Sequence, residues 1–106
     1  MAIKLTQKIV TVTTAGTPVQ FSLPRIKAPS MIITADPANT GTVWIGDQSV
    51  KASTSLGLPL VADDSVTIDP SKYFGTNEQL DLSLFWVDST VSGDKIIISY
   101  YEREVD

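Results

Sequence analysis

Leu80-Asp81-Leu82-Ser83-Leu84-Phe85-Trp86-Val87, followed after a turn at 88–94 by Lys95-Ile96-Ile97-Ile98-Ser99-Tyr100-Tyr101, decides the fold class. In the first run Leu80, Leu82, Leu84 and Trp86 alternate with Asp81, Ser83, Phe85 and Val87. In the second, Ile96, Ile98 and Tyr100 share one face, and Ile97, Ser99 and Tyr101 the other. A period of two is the signature of a strand, whose successive side chains point to opposite faces. Gly93 can take a positive φ, so Asp88 to Asp94 reads as the turn of a hairpin. Phe85, Val87, Ile97 and Tyr101 make the second face of that hairpin apolar too. A sheet wetted on one side is polar there, so this face must be covered by a loop, an arm or another subunit. The opposite assignment, with Leu82, Leu84, Trp86 and Ile98 outermost, has the same period.

The same pattern recurs toward the N-terminus. Met31 to Ala35 is a nearly continuous apolar run, and Asp36-Pro37-Ala38-Asn39-Thr40-Gly41 is turn chemistry. Val43-Trp44-Ile45 is a strand ended by Gly46, Val50 to Ala52 reads as a short edge strand, and Ser53 to Pro59 as a loop. Val66 and Ile68 mark another strand. Asp69-Pro70 opens a helical turn that Gly75 ends. Val10 and Val12 continue in a different phase from Ile3 and Leu5. Residues 1–7 are therefore expected to be an arm, set off by a bulge from a single domain at 8–106. The strand at 8–14 and the alternation at Val19, Phe21 and Leu23 read as a first hairpin. About eight short antiparallel strands and no sustained helical period mean an all-β fold, a β-sandwich or jelly roll.

Composition narrows the function. Cys and His are both absent from the 106 residues, which removes disulfides, thiol or imidazole catalysis and the usual zinc sites. No serine sits in a nucleophile elbow, and the Asp63-Asp64 pair reads as a solvated turn. Asp36, Asp47, Asp63, Asp64, Asp88 and Asp94 lie in or beside turns, without the spacing of a calcium loop. The expectation is a non-enzymatic protein with no cofactor and no metal. The net charge of −4, with scattered Lys and Arg, argues against direct binding of nucleic acid, and no apolar run has the length of a membrane span. The first residues lack the apolar stretch of a signal peptide, so synthesis in a cytoplasm is expected. Trp86 reads as core, whereas Trp44 and Tyr73 are candidate ligand-stacking residues.

The middle of the chain resembles a known family. Ile33-Thr34-Ala35-Asp36-Pro37-Ala38-Asn39-Thr40-Gly41-Thr42-Val43-Trp44-Ile45-Gly46-Asp47 is followed by Gly57-Leu58-Pro59-Leu60 and Val66-Thr67-Ile68. Then come Leu84-Phe85-Trp86-Val87-Asp88, Gly93-Asp94-Lys95-Ile96 and Ile98-Ser99-Tyr100-Tyr101. This order, over roughly residues 31–101, resembles small tailed-phage virion proteins, especially head decoration (cement) and head-fibre proteins. The resemblance implies a structural protein on the capsid exterior. It would bind the major capsid protein and self-associate, as a trimer. Ile3 and Leu5 of the arm, with Phe85, Val87, Ile97 and Tyr101, are the expected subunit or capsid contacts. The alternative is a carbohydrate- or receptor-binding module of a phage tail or fibre, using Trp44 and Tyr73.

Overall fold

The computed structural model describes residues 3–70 and 79–103. The strands are β1 (Ile3–Thr11), β2 (Val19–Gln20), β3 (Lys27–Ala28), β4 (Met31–Ala35), β5 (Val43–Gly46), β6 (Leu58–Leu60), β7 (Ser65–Ile68), β8 (Leu80–Asp81), β9 (Trp86–Ser89) and β10 (Lys95–Arg103). They build two four-stranded antiparallel sheets, ordered β1-β10-β4-β7 and β2-β9-β5-β6, and a small ribbon of β3 with β8. Chain neighbours occupy matching places in the two orders: β1 with β2, β10 with β9, β4 with β5, β7 with β6. That correspondence is the winding of a jelly roll. Among the described residues, no helix is long and apolar enough to cross a membrane.

Alternation along the strands builds the core. Val10 of β1, Ile96, Ile98 and Tyr100 of β10, and Met31, Ile33 and Ala35 of β4 face inward from the first sheet. Val43 and Ile45 of β5, Leu60 of β6 and Val87 of β9 meet them from the second. Phe21, just past β2, and Leu82, just past β8, are also fully buried.

The jelly roll corrects the expected hairpins. β9 and β10 do not pair with each other: β9 lies between β2 and β5, and β10 between β1 and β4. The turn at 88–94 carries the chain across the sandwich. Likewise β1 pairs with β10 and β2 with β9, so the first expected hairpin is absent. Period two specifies a strand and its faces but is silent on whether its chain neighbour lies beside it or opposite it.

Other local readings also change. The run from Leu80 is broken by a 3-10 turn at Leu82–Leu84, because the Asp81 carboxylate accepts from both the amide (3.0 Å) and the hydroxyl (2.6 Å) of Ser83. Leu82 ends buried and Leu84 exposed, although both belong to one apparent stripe. Trp86, expected in the core, is half-buried on the outward side of β9. The expected edge strand at 50–52 is reduced to a single bridge of Lys51 with Leu56 before a 3-10 turn at Ala52–Thr54, and the end of the expected loop at 53–59 runs into β6. No bulge interrupts β1, whose register with β10 runs unbroken from Ile3↔Arg103 to Thr11↔Lys95. Residues 3–7 are thus the first half of a nine-residue strand rather than a separate arm. The expected helical turn at 69–75 falls mostly outside the described residues.

Candidate interaction surface

One face of the first sheet points away from the core. On it, Leu5 stands opposite Tyr101 and Ile9 opposite Ile97. Ile32 of β4 lies beside Ser99. Leu5, Ile9, Ile32 and Tyr101 keep 55%, 62%, 38% and 46% of their surface exposed, and Ile97 is half-buried. Their neighbours on this face are Gln7, Thr11, Thr34, Ser65, Thr67 and Ser99, with Lys95 at one end. No carboxylate lies among these positions, although the chain carries a net charge of −4. A cross-strand apolar patch without acidic residues is what a protein surface meant to be covered presents.

The structure therefore brings together Leu5, Ile97 and Tyr101 of the expected contact residues, with Ile3 placed at the end of the same ladder opposite Arg103. It separates Phe85 and Val87 from them. Val87 is fully buried between the sheets. Phe85 is half-buried against Phe21, with ring centroids 5.7 Å apart. Both lie in or beside the opposite sheet, because the chain crosses the sandwich between them and Ile97. Ile9 and Ile32 belong to the patch as well, outside the expected contact set. Ile9 is in phase with Leu5, a signal that the expected bulge masks, and Ile32 sits inside the nearly continuous apolar run of β4.

The second sheet's outer face is different. Trp44 lies opposite Pro59 on one side and Asp88 on the other. It is half-buried, and its Nε1 is enclosed with no hydrogen-bond partner among the described residues. Its indole N–H is therefore closed to solvent, while part of the ring remains exposed. Tyr73, the other stacking candidate, lies outside the described residues.

The turn aspartates divide into two kinds. Asp63 and Asp64 are exposed between β6 and β7, where Asp63 takes a positive φ of 72° and Asp64 accepts from the Val61 amide. Asp88 and Asp94 are buried and serve as internal braces. Asp88 accepts from the amides of Gly16 (2.9 Å), Ala52 (2.9 Å) and Ser89 (2.8 Å). Asp94 accepts from the amides of Thr40 (3.2 Å) and Gly41 (2.9 Å) and from the Ser89 hydroxyl (3.1 Å). Asn39 adds a two-way link to Lys95, donating from Nδ2 to its carbonyl (2.8 Å) and accepting its amide at Oδ1 (2.9 Å). These side chains supply partners to loop amides that the ladders leave unpaired.

No protein-family model matches the chain, and a search of curated proteins finds no match.

Proposed function

We propose that this protein is a non-enzymatic structural component of a tailed-phage virion that binds the capsid exterior and reinforces it. The observation that carries the reading is the uncharged apolar patch of Leu5, Ile9, Ile32, Ile97 and Tyr101 on the outward face of a jelly roll. At roughly 25 cal/mol per Å² such a patch favours being covered. A decoration protein must offer a surface of this kind to a neighbour while remaining rigid. Rigidity is supported by the buried braces Asp88 and Asp94, which fix the loops of both sheets to the frame. The resemblance over residues 31–101 supplies the virion context.

The test is mass spectrometry of particles made by the phage whose genome carries this reading frame, with and without the gene. The expected result is a copy number comparable to that of the major capsid protein, and heads that lose heat resistance when the gene is deleted. Absence from particles, or a copy number matching tail components, overturns the reading.

A further inference from the structure

We propose that β1 is a two-fold self-pairing edge, through which two copies of this chain join their first sheets into one continuous eight-stranded sheet.

β1 is the terminal strand of its sheet, and among the described residues no strand pairs with its outer edge. It runs nine residues without proline or bulge, a span of about 30 Å. Val12, just beyond it, donates to Asp94 O and accepts from Gly93 N. By alternation, the odd positions of β1 therefore aim their N–H and C=O groups at the open edge. An edge of this length is a template for another strand unless something blunts it.

The sequence of β1 fits a second copy of itself in one register. Antiparallel pairing that sets all nine residues opposite one another has its two-fold axis at Gln7. Leu5 then faces Ile9 of the second copy, and Ile9 faces its Leu5. Each is flanked on its own sheet by Tyr101 or Ile97. Two apolar rows thus run across the joint, each ordered Tyr101, Leu5, Ile9, Ile97, with the chain changing between Leu5 and Ile9. This register supplies about ten backbone hydrogen bonds. Leu5 and Ile9 are placed symmetrically about Gln7, and they are among the most exposed aliphatic residues of the patch.

One feature opposes the pairing. On the other face, each Lys8 lies opposite Thr6 of the second copy, which puts it on diagonals about 7 Å long to both Lys4 and Lys8 of that copy. This repulsion keeps the dimer weak and makes it tighten as salt rises above roughly 0.2 M, where the screening length falls below that distance. A strand edge alone also covers less than the roughly 800 Å² per partner of a standard interface. The association is accordingly concentration-dependent, in the micromolar range or weaker.

The natural chain has no cysteine, so introduced thiols test the register directly. In a hydrogen-bonded antiparallel pair, Gln7 and its mate have Cα atoms about 5.5 Å apart, within disulfide reach. Leu5 and its own mate are about 14 Å apart, beyond it. Mild oxidation of the full chain should convert Gln7→Cys largely to covalent dimer and leave Leu5→Cys mostly monomeric. Leu5→Cys combined with Ile9→Cys in one chain should cross-link again. Circular dichroism of the reduced variants checks that each remains folded. Sedimentation velocity of the unmodified chain should show monomer and dimer, with the dimer fraction rising several-fold with salt. The proposal fails if folded Gln7→Cys does not cross-link, if Leu5→Cys cross-links as readily, or if the unmodified chain sediments only as monomer or as trimer.

Discussion

The Asp88 carboxylate accepts the amide of Ala52 at 2.9 Å while its other oxygen holds Gly16, so one fully buried side chain ties two loops to β9. Asp88→Ala leaves the buried Ala52 amide without its partner, and hydrogen bonds to a charged acceptor are the stronger kind. We predict a loss of about 3 kcal/mol in urea unfolding. Asp88→Asn should recover only part of it, because its amide would turn a donor toward an N–H. If the Asn variant proves as stable as the natural chain, the charge contributes nothing to the brace.

Gly41 sits where no side chain fits. A Cβ there would lie 2.4 Å from Thr90 Oγ1, 2.7 Å from Val91 Cγ2 and 3.0 Å from Asp94 Oδ2. Thr90 can rotate away only by releasing the Thr42 amide, which its hydroxyl holds at 3.0 Å. Gly41→Ala is expected to cost about 2 kcal/mol in thermal or urea unfolding. Combined with Thr90→Ala, the total should fall short of the sum of the single changes. Additive costs would show that the clash with Thr90 is not the cause.

Leu84 and Val87 separate the two assignments that strand alternation leaves open. Leu84 is 66% exposed, whereas Val87 has no exposed surface. Leu84→Asp should remain folded, within about 0.5 kcal/mol of the natural chain. Val87→Asp places a carboxylate between the sheets and should cost about 4 kcal/mol or more, enough to unfold a small domain. Near-ultraviolet circular dichroism, which reports the packing of the aromatic residues, distinguishes the two outcomes. Loss of fold in Leu84→Asp would contradict the 3-10 turn.

Asp81 links acidity to stability. Hydrogen bonding from Ser83, and then the Arg25 guanidinium at 2.8 Å, lower its carboxyl from the ordinary 3.8 to about 2. A carboxylate depressed in the folded state stabilises it above the unfolded value and stops doing so as pH falls through the folded one. The advantage of the natural chain over Asp81→Asn should therefore be constant above pH 4, shrink between pH 4 and pH 2, and vanish below. Melting temperatures of both chains across this window provide the check. Arg25 is 73% exposed, so its share is screened and should fall with salt. A difference that persists unchanged to the lowest pH would remove Asp81 as its source.

Part of the interaction surface could be read directly. Ile97 and Tyr101 alternate in phase, and Leu5 stands out in a polar stretch. Ile9 was obscured because Val10 and Val12 mark the buried phase of β1, and the change of apolar phase resembled a bulge. In the structure the odd positions carry exposed aliphatics, and the inward-side even positions are polar at Lys4, Thr6 and Lys8 and become apolar and buried only from Val10 onward. Both phases are thus apolar along one straight strand. Asp88 and Asp94 read as ordinary turn residues, since nothing local distinguishes a solvated carboxylate from one that braces a distant loop.

The class of fold, the turns at Asp36–Gly41 and Asp63–Asp64, and the positive φ of Gly93 are all legible in the residues alone. Each follows from side-chain alternation or from backbone freedom within a few residues. Packing of the whole chain is what places β9 and β10 in opposite sheets, and hence makes Val87 core while Ile97 and Tyr101 face outward. Strand pairing is a choice among distant partners, made by the burial of both sheets together. No local pattern of a strand encodes which of its chemically similar neighbours will lie beside it.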